Sequence, residues 1–362
     1  MAVKIKYLVV LLLIISVFGS AAFAEEHSEN AEDFNVTEMI MHHVKDSHEW
    51  HIMSYTKNGE EKHISIALPV ILFCNGAVDV FLSSEFDHGK KTVKKNNNIY
   101  KIYHGKIYLV DETEEIIYEE SADGKEPVVA NKAPLDLSIT RNVASMLLTC
   151  ALLIWIFVSV ARSYKKRPGR PAGLQAFLEP VILFIRDDIA IPNIGEHKYK
   201  KYLPYLLTLF FFILINNLIG LVPFFPGGSN VTGNIAVTLV LAVFTLIITT
   251  FSGNKNYWKH IFAAPGVPLW LLPIMIPVEL IGVISKPFAL MIRLFANITA
   301  GHIIVLSLVS LIFIFKALWV SAAAVPFVVF MDLLEVLVAF LQAYIFTMLT
   351  ALFIGLAVQD HH

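Results

Sequence analysis

Charge is scarce in this 362-residue chain. Asp, Glu, Lys and Arg make up 16% of it, against 56% hydrophobic residues and a mean hydropathy of +0.64. A soluble domain carries about 25% charged residues, so a water-soluble enzyme of one or two domains is excluded. Cysteine is nearly absent: Cys74 and Cys150 cannot build a disulfide framework, and they are expected to stay unbonded. No Gly-x-x-x-x-Gly-Lys loop occurs, so the chain has no cradle for nucleotide phosphates. Internal repeats, nucleophile–base arrangements and cofactor motifs are missing as well, so neither cofactor nor metal is expected. Only negative charge is locally abundant. Residues 25–140 hold 11 Lys/Arg against 22 Asp/Glu, a local charge of −11 concealed in a total of −2. Such acidity opposes nucleic acid as a partner.

The first 24 residues read as a secretory signal peptide. Lys4 and Lys6 precede the short apolar run Tyr7–Phe18, and Ala22-Phe23-Ala24 has the small-x-small form of a cleavage site. Residues 25–140 then form an acidic extracytoplasmic module. Ile64–Phe73 and Val78–Leu82 look like strands, and Asn98–Val110 alternates around His104-Gly105 as a hairpin would. Eight of the 13 histidines fall in this module, among them His42, His43, His48 and His51. Without converging ligands they read as a solvated polar segment rather than a metal site.

Residues 141–362 form the membrane domain, with five apolar blocks. Val143–Ala161 is long enough for a ~30 Å hydrocarbon core and ends in Arg162, Lys165, Lys166, Arg167 and Arg170. By the positive-inside rule that cluster is cytoplasmic, so the first span runs inward and the module is periplasmic. Gly173–Ala190, interrupted by Pro180, reads as a short amphipathic helix on the cytoplasmic surface. Leu203–Val222 leads outward, through the uncharged turn Pro223–Asn234, and Ile235–Phe251 returns to a basic loop with Lys255 and Lys259. The last two blocks, Leu269–Phe315 and Ser321–Val358, are too long for ordinary spans, with Lys316 at the outer turn between them. As helices they would measure about 70 and 57 Å, so each must break or lie steeply inclined against the other. Pro273, Pro277 and Pro287 favour bends in the first. The C-terminus falls in the cytoplasm. The fold class is a mostly α integral membrane protein: five membrane helices, the last two long, inclined and antiparallel, a short surface helix, and a small β-rich N-terminal module.

Ionisable groups inside a span are costly and point to function. Six stand in the last two blocks: Glu279, Lys286, Arg293, His302, Asp332 and Glu335, with Asn297 and Gln342 as uncharged companions. Glu279, Lys286 and Arg293 are seven apart and share one slowly twisting face. Asn297 follows Arg293 at i+4. His302, nine after Arg293, points the opposite way, about 13 Å along the axis. Antiparallel packing sets His302 level with Glu335, and Arg293 nearer the level of Gln342. A His and a Glu facing each other hand on protons; an arginine, which stays charged far above neutral pH, is only a fixed charge.

Ser285-Lys286-Pro287, Arg293-Leu294-Phe295-Ala296-Asn297, Ala300-Gly301 and Leu341-Gln342-Ala343-Tyr344-Ile345-Phe346 resemble the a subunit of the rotary F-type ATP synthase, as does Asn217 followed by Leu221-Val222-Pro223. The resemblance spans roughly residues 141–358 and omits the N-terminal module. It implies a stator subunit of the Fo motor in a bacterial inner membrane, packed on a ring of c subunits and joined to b-type stalk subunits and the rest of the complex. Two half-channels would carry protons to and from the ring. Arg293 would face the ring carboxylate and block leakage, with Asn297 and Gln342 beside it. His302 and Glu335 would line the outer half-channel, and Glu279 and Lys286 would lie toward the inner exit. Two departures stand out. Many bacterial members carry Glu where this chain has His302 and His where it has Glu335; the exchange, as in mitochondrial members, keeps one acid and one base. Gly220 stands where some members carry an acid, which makes Asp332 a candidate replacement. Two classes compete: a secondary cation/proton transporter, whose paired halves and midplane acids are not found, and a membrane-anchored periplasmic binding or sensor module, whose anchor would need no buried arginine.

Overall fold

The computed structural model describes residues 45–57, 60–119, 128–166, 173–222, 227–262, 269–315 and 318–359. The signal-peptide reading, His42, His43 and the turn at Lys316 lie outside these residues.

The N-terminal module is built of short antiparallel strands. Strand β1 (Glu49–Lys57) pairs with β2 (Glu60–Ala67). A second sheet joins β3 (Pro69–Cys74), β4 (Ala77–Leu82) and, after three further strands and two minor ones, β10 (Leu135–Asp136), in the order β10-β3-β4. The third sheet holds β5 (Val93–Lys95), β6 (Asn98–Tyr103) and β7 (Lys106–Val110); β8 (Tyr118–Glu119) and β9 (Val128–Val129) form a small ladder. The β6–β7 hairpin turns at His104-Gly105, as the alternation suggested. Both residues have positive φ (46° and 78°), the backbone that a two-residue type I′ turn demands. The expected single strand Ile64–Phe73 is instead two strands with a corner at Leu68, whose buried N–H bonds to Ser83 Oγ at 3.0 Å. Pro69, at the start of β3, marks that break. Val70, Leu72, Phe81, Phe86, Val93, Tyr100 and Ile107 form the module's core. Inside it, burial pushes the Asp79 carboxyl up, but donors from Tyr100, Asn98 and Asn96 outweigh burial and hold it below the usual carboxylate range.

Among the described residues, five helices are long and apolar enough to cross a membrane. They are α1 (Arg141–Lys166), α4 (Tyr199–Gly220), α5 (Ile235–Ser252), α7 (Leu272–Phe315) and α8 (Leu318–Val358). Between α1 and α4 runs α2 (Leu174–Phe184), a π-helical turn (Ile185–Ala190) and α3 (Ile191–Ile194). Pro180 does not interrupt α2, contrary to the sequence reading. The element also packs inward. Phe184 meets Tyr344 at 5.8 Å between ring centroids, and Asn193 touches Gly355, so it lies alongside the end of α8. An ideal Cβ on Gly355 would collide with the Asn193 carbonyl oxygen, so only glycine permits this approach. The basic loop expected after α5 is a short helix, α6 (Lys255–Phe262).

Helices α7 and α8, with 44 and 41 residues, are unbroken despite Pro277, Pro287 and Pro326. At 1.5 Å per residue they reach about 66 and 62 Å, roughly twice a ~30 Å core. Of the two expected solutions, breakage does not occur: the helices pack antiparallel, His302 against Glu335 and Lys286 against Phe353. To stay within the core each would tilt by about 60°, well beyond the usual ~20°. Buried Ala339, Ala343, Ala351 and Ala357 keep α8 close to its neighbours, the role that small residues play where lipid offers no hydrophobic drive. The carbonyl of Val358 at the end of α8 accepts from Lys198 Nζ (2.6 Å) and Asn254 Nδ2 (2.8 Å). Those bonds satisfy an orphan helix terminus and set a cation at the negative end of the dipole.

Candidate functional site: a polar cavity behind an exposed arginine

Helix α7 presents two different faces. Leu290 and Leu294 are buried in the bundle core, whereas Arg293 lies on the exposed side with Ala289, Ile292, Ala296, Asn297 and Ala300. The small alanines leave the guanidinium open to a close neighbour. On the other side, His302 turns toward α8. Its Nδ1 lies 3.8 Å from Glu335 Oε2, with side chains only 20% and 12% exposed. The opposition of Arg293 and His302 expected from nine helical steps is thus the observed arrangement.

His302 and Glu335 open into a polar cavity. Asn216, Asn217 and Gly220 from the end of α4, Ser229, Asn230 and Thr232 from the following loop, and Asn297 complete its polar wall. Asn217 organises the wall: Thr232 Oγ1 donates to its Oδ1 at 2.6 Å, and its Nδ2 reaches the Ala339 carbonyl at 3.4 Å. Asn216 Oδ1 accepts from Thr149 of α1 at 3.1 Å. Glu335 Oε1 is buried with no hydrogen-bond partner among the described residues. Gly301 is what lets Glu335 in, because an ideal Cβ there would stand 2.5 Å from that same oxygen. Gly220 has a similar use: a Cβ would lie 3.2 Å from the Ser229 carbonyl, so the loop backbone takes the space an acid would need.

The remaining flagged residues lie elsewhere. Gln342 is buried on α8, two turns beyond Glu335. The level of Arg293 follows from two fixed points. Nine residues from the His302–Glu335 pair lead to Arg293 on α7 and Tyr344 on α8. Seven from Lys286, whose Nζ sits 5.8 Å from the centre of the Phe353 ring, lead to Arg293 and Phe346. Arg293 is therefore within about one turn of the level of Gln342. Asp332, half-buried one turn before Glu335, is outside the cavity lining. Glu279 and Lys286 are far along α7 from His302. Burial, and then the charge of Glu279, push the Tyr257 phenol of α6 up. Among the described residues no three His, Cys, Asp or Glu side chains converge on a metal position. His48, in the module, instead bonds Asp136 at 2.7 Å. Asn216, Ser229, Asn230 and Thr232 were not singled out from sequence, and Gly301 was named only within the matching Ala300-Gly301 motif, not for its contact with Glu335; the only local hint to the others was the unusual Asn216-Asn217 pair inside an apolar run.

Comparison with known proteins identifies relatives of the chain. A family model described as ATP synthase A chain matches residues 143–355, and a domain of unknown function (DUF8433) matches residues 39–137. An ATP synthase subunit a 2 of Chlorobaculum tepidum is 52% identical over 240 residues, covering 64% of this chain and 66% of that protein. One from Prosthecochloris aestuarii is 52% identical over 230 residues (61% and 69%), and the subunit a of Myxococcus xanthus 47% over 235 (63% and 76%). Aligned segments thus span about two thirds of the relatives' length, and the match leaves no ground for the secondary-transporter reading. With the family model covering more than half of its length, the chain belongs to the ATP synthase A chain family, the multi-pass inner-membrane subunit of the F-type complex whose general function is proton translocation.

Proposed function

We propose that this chain forms the stator half of the proton path in Fo, working against a ring of c subunits and held by b-type stalk subunits. One observation carries the proposal: on a single helix, Arg293 faces outward while His302 meets Glu335 in a polar cavity behind it. An arginine exposed on an apolar membrane face is expensive, so a partner must cover it, and a carboxylate on that partner would satisfy it. The alanine-lined surface around Arg293 fits a closely approaching helix.

In this reading protons enter through the cavity, pass between His302 and Glu335, and reach the ring carboxylate. At 3.8 Å the two groups are just beyond direct hydrogen-bond range, so a small side-chain rotation or one bridging water completes the step. Arg293 acts as a fixed positive charge. It displaces the proton of an arriving ring carboxylate by pairing with it and separates the outer path from the inner one. Asn297, at the edge between cavity and exposed face, and Gln342, near the level of Arg293, supply uncharged polar contacts there. Glu279 and Lys286 mark the inner exit. The module lies outside the cytoplasmic membrane and the C-terminus within the cytoplasm. The test is ATP-driven proton pumping in inverted vesicles. Glu335→Gln should cut pumping at least tenfold in an assembled complex. The exchange variant His302→Glu/Glu335→His, which keeps one acid and one base, should restore a substantial part. Full pumping by Glu335→Gln would refute the assigned path.

A further inference from the structure

The family fold accounts for the membrane domain but gives no task to residues 45–140. Their contacts point to one. The segment Lys45–Trp50 leads into β1 along the start of α1. Arg141 N–H donates to the Ser47 carbonyl at 2.8 Å, and Arg141 Nη2 to the Lys45 carbonyl at 2.8 Å. Asp46 Oδ1 accepts from the N–H of Asn142 at 3.0 Å and of Ser47 at 2.9 Å. A carboxylate at the helix N-terminus satisfies an orphan donor and the dipole together. The sheet side is pinned as well: Leu137 and Ile139 N–H donate to the Ile71 and Pro69 carbonyls, and His48 bonds Asp136. The module is therefore clamped to the first turn of α1.

From that clamp two connections reach the cavity wall. Through α1, Thr149 donates to Asn216. Directly, the Trp50 side chain, 5% exposed, points its Nε1 at the Gly227 carbonyl, 3.4 Å away and 177 residues distant in sequence. Gly227 opens the stretch that carries Ser229, Asn230 and Thr232 into the cavity. Farther along that stretch, Thr299 Oγ1 of α7 donates to the Gly233 carbonyl at 3.5 Å, and Asn234 caps α5 by accepting from Ala236 N–H. The loop is thus held from below by α4, α5 and α7 and from above by Trp50.

We infer that the N-terminal module is the outer cap of the entry half-channel, and that Trp50 is its positioning residue, fixing the loop whose Ser229, Asn230 and Thr232 line the path to His302 and Glu335. The inference rests on the proton-path reading above. An indole is suited to the task, since it fills a buried gap with a rigid ring and keeps one donor for a backbone carbonyl. The module then sets how protons are admitted on its own side and has no influence on the opposite exit.

The experiment uses the whole complex reconstituted in liposomes, with ATP synthesis driven by an imposed pH difference and the pH varied on one side at a time. Trp50→Ala should raise the half-saturating proton concentration on the module side threefold or more and leave the response on the other side unchanged. An unchanged response on the module side in an assembled complex, or equal shifts on both sides, would overturn the inference. Should Trp50→Ala fail to assemble, Trp50→Phe keeps a six-membered aromatic ring and removes the pyrrole part with its donor. In that background a Ser229→Cys thiol should react with a membrane-impermeant maleimide tenfold faster than with Trp50 intact. Equal labelling rates would equally overturn it. If variants of Glu335 and Arg293 abolish pumping while both Trp50 readouts stay at wild type, the cap falls and the proton path stands.

Discussion

Gly301→Ala offers a direct probe of the proton step, because it adds one methyl and no charge. An ideal Cβ at this position lies 2.5 Å from Glu335 Oε1, 3.1 Å from its Cδ and 3.2 Å from its Cγ, whereas ordinary contact begins near 3.4 Å. The atoms met are the far end of a flexible side chain, so the backbone pair stays and the carboxyl yields by about 0.9 Å. That carboxyl already stands 3.8 Å from His302 Nδ1. Misplacing a transferring group by 1 Å costs on the order of 100-fold in rate. We therefore expect Gly301→Ala to assemble normally and to reduce ATP-driven pumping by about ten- to a hundredfold. Pairing it with Glu335→Asp, one methylene shorter, should recover part of the loss, although Glu335→Asp alone is itself impaired. The assay is fluorescence-quench pumping in inverted vesicles, normalised to the amount of assembled complex. Wild-type pumping by Gly301→Ala would refute the claim that the spacing between His302 and Glu335 governs proton transfer.

Gly355→Val should act on stability instead, because the new side chain meets the Asn193 backbone, which cannot swing aside; overpacking of this kind costs about 1–3 kcal/mol and should appear as a lower thermal midpoint and less assembled complex. In the module, Asp79 has its carboxyl held below its ordinary value of 3.8 by Tyr100, Asn98 and Asn96 in spite of burial. A carboxyl depressed by folding lends stability above its unfolded pKa and loses it as pH falls through the folded value. The module should therefore become more protease-sensitive below about pH 4, and Asp79→Asn should flatten that dependence while lowering stability at neutral pH.

The features legible in the sequence were those that carry a large local cost. Arg293, His302 and Glu335 stood out because ionisable groups in apolar helices are expensive, and helical arithmetic then set two on facing helices and one on the outward side. The β6–β7 turn was readable because His104-Gly105 accepts positive φ. What escaped notice depends on tertiary approach. Gly355 looks like any helical glycine until the Asn193 carbonyl is placed against it, and Gly301, though part of a matching motif, shows its purpose only when the Glu335 carboxyl is placed against it. Ser229, Asn230 and Thr232 sit in an uncharged loop without a period, so nothing local marked them as cavity lining. The helix α6 is only eight residues long, too short for its periodicity to separate it from a basic loop. Unbroken α7 could not be told from a bent one by its prolines, since neighbouring helices in a membrane tolerate the lost hydrogen bonds.

Central to the account is Arg293 as the fixed charge that couples ring movement to proton flow. The most direct measurement compares Arg293→Ala with the wild-type chain in inverted vesicles, recording ATP-driven pumping and, after removal of the catalytic head, passive proton leak. The account predicts that pumping is abolished and passive leak rises while the complex remains assembled; undiminished pumping by an assembled Arg293→Ala complex would contradict it.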